Sequence, residues 1–444
     1  MALNDKQDYI KYLEDKINIK KELTINKDFT TIGLTGSRGK STICFLLHEF
    51  LKQKGYKSIL YSSIEIDSPT SLISKEEAVE NPIYNEEMIY NAIKESVEYE
   101  TDFLIMEVNE RAISKSFTKN IPFDYRVLTN IIPKQNDLFY PDYVSLKQSF
   151  IREANYVTKF IIELIDKDSI SVFRELDRTK VTTITSEFLA IKRGVEDDEI
   201  DYYIKPNNEI YDSINGLSFS IGNKEKRFNI NTNLIMPYNG LNIACCYGIL
   251  KNIIDFKDEE YVSFLENINI PGRDEVINYN NRKIIISLNL MPQLENLRRY
   301  EERGEINKII VVTGSTGLGY KNWKEEFSKE LYLKDRKESI KFCYDYVKKN
   351  CDFLYITKTD IGASNKEELF SYQEEIVKGF VEYKVIEDRY LAIKDAIKAS
   401  NENDVIFISG RGNRRVMCDS YDHITLFKDK EEVEKIIKEM EKEK

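Results

Sequence analysis

FTTIGLTGSRGKSTICFLLHE, residues 29–49, runs from a short apolar stretch through a Gly-rich turn into a strongly helical segment. Glycines at 33, 36 and 39, followed by Lys40, Ser41 and Thr42, set out a strand, a tight loop and a helix in the order that a nucleoside triphosphate needs. Successive backbone N–H groups around Gly36, Ser37, Arg38, Gly39 and Lys40 are expected to face anionic oxygens at the positive end of the helix that opens near Ser41. Lys40 adds a point charge for the β- and γ-phosphates, and the Ser41 or Thr42 hydroxyl reaches Mg²⁺. The pattern GxxxxGK(S/T) fails at its first position, because Leu34 stands five residues before Gly39. The residues spell GxxGxxGK(S/T)(S/T) instead.

That variant resembles the loop of the Mur ligase superfamily. The resemblance implies an ATP-dependent ligase that joins a carboxylic acid to an amine, usually an amino acid, through an acyl phosphate. Residues 1–28 read as a charged helix and connector, with no room for the uridine-nucleotide domain that many Mur ligases carry at this end. The expected layout is therefore similar to that of the folylpolyglutamate and poly-γ-glutamate synthases: an extension over 1–28, a P-loop, doubly wound central ATPase domain over 29–271, and a C-terminal Rossmann-like α/β domain over 272–444.

Composition narrows the partners. Sixty-five basic residues stand against 76 acidic ones in 444, a net charge of −11, which argues against a general nucleic-acid binder. No run of 18 apolar residues exists and the start, MALNDKQDYIKYLEDK, lacks a signal-peptide core, so no membrane partner and a cytoplasmic location are expected. Six scattered cysteines form no CxxC pair, and the two histidines, His48 and His423, are too few for a histidine-based hydrolase or a His-rich metal site.

Strand and helix alternate after the loop: YKSILYSS (56–63), NEEMIYNAIKESVEY (85–99), TDFLIMEVNE (101–110) and DYRVLTNI (124–131). This rhythm predicts a doubly wound α/β sheet, whose ligands gather at the carboxyl ends of the strands, where Glu107 falls. Residues 195–235 change texture to short alternating runs with Asn-Gly and Gly-Asn punctuation and read as appended antiparallel strands.

The resemblance continues in IPKQNDLFYPDYVSLKQSF, where Thr129, Asn130, Ile131, Asp137, Tyr143 and Lys147 match the family motif, while Lys134 and Gln135 replace its Asp and His. By this resemblance Glu107, Gln135 and Lys147 support a second Mg²⁺, with Lys147 carbamylated; a Gln carbonyl is a hard oxygen ligand that suits the ion. Taken alone, Lys147 reads as a solvated helix lysine. Asn242, three residues after Asn239, matches a family segment that packs against the nucleotide, and is equally an ordinary Asn at a helix start. Arg273, in PGRDEVI, is expected to contact ribose or phosphate.

Residues 276–444 carry strands near KIIISL, KIIVVTG, FLYIT and DVIFISG and look most like the branch that adds the third residue of the peptidoglycan stem peptide. The substrate motifs depart from it. Ser287 stands at the Asp that holds ribose in relatives, DIGA keeps Asp360 alone, and GRGNR puts Arg411 for a Lys and Asn413 for a His. An acceptor identical to diaminopimelate is not expected. The sequence leaves open three functions: a γ-glutamyl or folylpolyglutamate-like chain extender, a specialised cofactor or natural-product ligase or cyclase, and a non-catalytic nucleotide-binding partner protein. In the first two the partners are a small-molecule carboxylate and an amine or amino acid.

Overall fold

The computed structural model describes residues 29–69, 86–114, 117–118, 121, 123–132, 143–152, 157–207, 211–317, 329–362, 364–420 and 423–443. The expected extension over 1–28 lies outside them, as do Lys134, Gln135 and Asp137.

Among the described residues the chain before residue 272 builds an eleven-stranded sheet. Its strands are β1 (Thr30–Thr35), β2 (Ser58–Tyr61), β3 (Ile66–Asp67), β4 (Phe103–Glu107), β5 (Tyr125–Leu128), β6 (Lys159–Glu163), β7 (Val181–Ser186), β8 (Tyr202–Pro206), β9 (Asp212–Ser213), β10 (Gly216–Gly222) and β11 (Arg227–Thr232). The order is β11-β10-β8-β7-β6-β5-β1-β4-β2-β3, with β9 on β10. From β8 across to β2 all neighbours are parallel. β3, β10 and β11 close the two edges in antiparallel fashion, so the polar run over 195–235 forms strands as its alternation predicts.

Helices cover both faces, which explains why β4 is buried along its whole length and reads as a continuous apolar run. The helix Lys40–Gln53 presents Ile43, Leu46, Leu47, Phe50 and Leu51 to one of these cores at helical spacing. It ends where Gly55 N donates to Lys52 O and Tyr56 N to Leu51 O, a Schellman closure.

The second sheet has the strands β12 (Glu275–Tyr279), β13 (Arg282–Ser287), β14 (Ile309–Thr313), β15 (Phe353–Ile356), β16 (Glu382–Val385) and β17 (Val405–Ser409), in the order β12-β13-β17-β14-β15-β16. All its pairs but β12–β13 are parallel. A separate hairpin, β18 (Val416–Ser420) and β19 (His423–Leu426), follows. The chain passes between the sheets in the turn at 271–274, and the two units also touch elsewhere. Asp212 beside β10 accepts from Arg299 Nη2 at 2.9 Å, its carbonyl accepts from Arg303 Nη2 at 2.8 Å, and Ile214 N donates to Glu305 at 2.8 Å.

One support bears directly on the site. Asp166 caps the helix Lys167–Arg174 through the amides of Asp168 and Ser169, and its other carboxylate oxygen accepts from Ile131 N at 2.9 Å, just beyond β5. Asp166→Ala should cost about 1 kcal/mol for the cap and about 1–3 kcal/mol more for the stranded Ile131 amide. A urea melt of the variant against the parent measures the sum.

Candidate functional site

The turn from β1 into the helix Lys40–Gln53 passes through two residues that no side chain replaces freely. Gly36 has φ 148°, and a Cβ there would stand 1.8 Å from Thr129 Oγ1; Gly39 has φ 89°, and its Cβ would stand 2.5 Å from Asn242 Oδ1. The segment after β5 clamps this loop. Ser37 N donates to Asn130 O at 3.0 Å, Arg38 N to Asn130 Oδ1 at 3.0 Å, and Arg38 O accepts from Thr129 Oγ1 at 2.6 Å and from Asn130 Nδ2 at 3.1 Å.

The amides of Ser37 and Arg38 are thus committed to Asn130, which differs from the expectation that all of them face a ligand. The amides of Gly39, Lys40, Ser41 and Thr42 meet no acceptor among the described residues, and they form the open positive end of the helix. Lys40 folds back, donating to Gly36 O at 2.7 Å, with its ammonium 3.9 Å from Glu107.

Glu107, 5% exposed at the carboxyl end of β4, is the centre of the arrangement. Its Oε2 accepts from Ser41 Oγ at 2.9 Å, Ser62 Oγ at 3.0 Å, Ser63 N at 3.0 Å and Ser63 Oγ at 2.9 Å. Burial pushes its carboxyl up, but the Lys40 charge, the Ser63 amide, the Arg273 charge and the Ser41 hydroxyl outweigh burial and hold it below the ordinary 4.5. Ser62 and Ser63 open the tight turn between the antiparallel β2 and β3. The buried His48 ring braces that hairpin, with Nδ1 2.9 Å from Ser58 Oγ and Nε2 2.9 Å from Asp67.

The second unit reaches the same spot. Arg273 Nη2 donates to Ser41 Oγ at 3.4 Å and Ser63 Oγ at 3.3 Å, and Asn413 Nδ2 donates to Ile64 O at 3.0 Å. Behind Arg273, Asp274 accepts from Ser287 Oγ at 2.8 Å and from the Tyr238 hydroxyl, which accepts from Gln293 Nε2 at 2.8 Å. A carboxylate from the turn at 271–274 therefore stands against Ser287. Asp360 pairs with Arg411 at 2.7 Å and also with Arg414.

Two expectations meet a different geometry. Lys147 is fully buried rather than solvated, and its ammonium pairs with the Glu110 carboxylate. Asn242 does not start its helix, Tyr238–Ile253; it is buried, donates to Asn239 Oδ1 at 3.0 Å and lies against Gly39. Gln135 lies outside the described residues. Sequence reasoning passed over Ser62, Ser63 and Glu110, although two serines at the carboxyl end of a buried strand were a usable signal. An open groove of about 570 Å³ beside Tyr211, Asn215, Asn231 and Glu266 is lined by none of the residues gathered around Glu107.

Known proteins resemble the chain in sequence and in fold. Residues 34–250 match the model of the Mur ligase middle domain. The chain is 24% identical over 427 residues to a UDP-N-acetylmuramoyl-L-alanyl-D-glutamate–2,6-diaminopimelate ligase of Caldanaerobacter subterraneus subsp. tengcongensis, spanning 93% of this chain and 79% of that protein. To the protein of the same name from Alkaliphilus oremlandii it is 25% identical over 396 residues, 86% of this chain and 73% of the relative. Among solved structures, the MurF ligase of Thermotoga maritima in complex with ADP aligns with a TM-score of 0.62 at 16% identity, covering all of this chain and 86% of that one. FolC of E. coli in complex with DHPP and ADP aligns with a TM-score of 0.59 at 15% identity, covering 89% of each chain. No helix among the described residues is long and apolar enough to cross a membrane.

The depressed Glu107 carboxyl gives a signed expectation. Because its folded value lies below 4.5, its ionised form adds stability above that pH, and this is lost as pH falls through the folded value. The stability gap between the parent and Glu107→Gln should be open at pH 7 and shrink as the pH falls below 4.5, read by thermal melts from neutral to acid pH.

Proposed function

We propose that this chain, which belongs to the Mur ligase superfamily, is an ATP-dependent ligase that joins a carboxylate substrate to an amine through an acyl phosphate, releasing ADP and phosphate. The observation that carries this reading is the meeting of Lys40, Ser41, Glu107 and Arg273 at the mouth of the Gly-rich loop, with residues of both units in contact there.

The residues fit a nucleotide and its metal. Four helix-end amides without acceptors among the described residues and a loop with no space for a Cβ at Gly36 suit a polyphosphate. Ser41 Oγ and Glu107, 2.9 Å apart, offer the hard oxygens that Mg²⁺ prefers, with Thr42 next in sequence. When bound, Mg²⁺ neutralises charge on the phosphate oxygens. Lys40 would leave Gly36 O for the terminal phosphate, a move that its flexible stem allows. Arg273 balances the charge that grows as the carboxylate attacks, and Ser62 and Ser63 keep Glu107 ionised and aimed. The acceptor amine then displaces phosphate from the acyl group, and the contact of Asn413 with Ile64 supports exclusion of water from that step.

Extension of a γ-glutamyl chain is a second reading, favoured by the Arg38-Gly39-Lys40-Ser41 loop. The satisfied, ionised Glu107 weighs against a partner protein without catalysis. Lys40→Ala and Glu107→Ala should each lower ATP turnover by at least about a hundredfold, or about 3 kcal/mol of transition-state stabilisation. The assay follows phosphate release and new masses with pools of carboxylic acids and amino acids. A single amide product supports simple ligation, a mass ladder supports chain extension, and full turnover in either variant would overturn the site.

A further inference from the structure

Glu163, the last residue of β6, is a carboxyl that the proposed chemistry does not use. It is 2% exposed, and its Oε1 finds no hydrogen-bond partner among the described residues. β6 lies beside β5, with Leu128 opposite Ile162, so Glu163 sits at the level where the chain leaves β5 for Thr129 and Asn130. Those two residues clamp the phosphate loop through Arg38 and Ser37.

We propose that Glu163 is a positioning residue that serves as a neutral acid and, on losing its proton, loosens the phosphate loop through Asn130. The Asn130 amide has two tasks on the loop: Oδ1 accepts from Arg38 N, and Nδ2 donates to Arg38 O. The groups acting on Glu163 are the Cys245 thiol from the helix Tyr238–Ile253, Asp166 from the turn after β6, and Asn130 itself, with no cation among them. Behind Cys245 stand Cys246 and, from the helix Lys40–Gln53, Cys44. Burial pushes these thiols up as well, so they stay uncharged and offer no counter-charge.

Burial drives the Glu163 carboxyl to about 8, against the Cys245 and Asn130 side chains that favour its ionised form and with Asp166 adding like charge. A carboxylate formed in such a place draws the nearest donors to itself. Asn130 Nδ2 is one of them, and turning it inward removes both of its bonds to Arg38.

The inference rests on the nucleotide reading of the loop, and its test separates the two. Calorimetry with Mg·ADP from pH 7 to 9 compares the parent with Glu163→Gln and Glu163→Ala. If only the protonated form holds the loop, the competent fraction falls from about ten elevenths to about one eleventh, and the parent binds about tenfold more weakly at pH 9. Glu163→Gln, which keeps a neutral polar head, should change by less than about twofold over the same range and restore the pH 7 affinity that Glu163→Ala loses.

A flat parent profile, or a Glu163→Gln profile parallel to the parent's, overturns the inference and leaves the nucleotide site standing. No binding by the parent at any pH overturns both. Thermal melts add a readout that needs no ligand. The folded state holds the proton that the unfolded chain releases near pH 4.5, so parent stability should fall from there to about pH 8, and Glu163→Gln should remove that slope. An unchanged slope in the variant overturns the assignment.

Discussion

One carboxylate oxygen, Glu107 Oε2, collects donors from the helix after the Gly-rich loop and from the β2–β3 turn. A buried charge persists only where such donors and a counter-ion repay its lost hydration, and Lys40 and Arg273 supply the opposite charge. The constraint acts in both directions. Ionised Glu107 needs the turn in place, and the turn, braced through His48, has its serines directed inward because Glu107 is there to accept from them.

The same turn links the two sheets. Arg273 and Asn413 come from opposite ends of the second unit's sequence, yet both touch residues 63–64 or the adjacent Ser41. Gly272 is packed so closely on the 412–413 backbone that a Cβ would lie 2.1 Å from Asn413 N, which joins the two approaches into one rigid corner. Loops set on such scaffolds are where an α/β protein keeps its chemistry.

How far this was readable in the sequence follows from how local each feature is. The strand, loop and helix of residues 29–49 are encoded by contiguous glycines and an apolar repeat, and β4 ending in Glu107 is a short apolar run with one acid at its end. Ser63 meets Glu107 across 44 residues and Asn130 meets Arg38 across 92, separations over which periodicity carries no information. Lys147 separates the two kinds of signal: taken alone, a lysine inside an amphipathic helix reads as solvated, and only the resemblance marked it out, while the fold buries it on Glu110. At Ser287 the altered motif has a serine where relatives have an Asp, and its hydrogen bond to Asp274 of the preceding turn is a contact that no motif encodes.

The two units meet over more than the corner at residue 272: Asp212 holds two arginines of the second unit, and Ile214, Ile235 and Met236 pack with Ile285, Leu294 and Leu297. A close-packed apolar seam between two sheets resists relative sliding, because any shift opens voids or forces side chains together. The seam therefore fixes the register in which Arg273 of one unit meets Ser41 and Ser63 of the other. Packing remote from the Gly-rich loop thus sets the spacing of charges beside it, a dependence that no motif in the loop records.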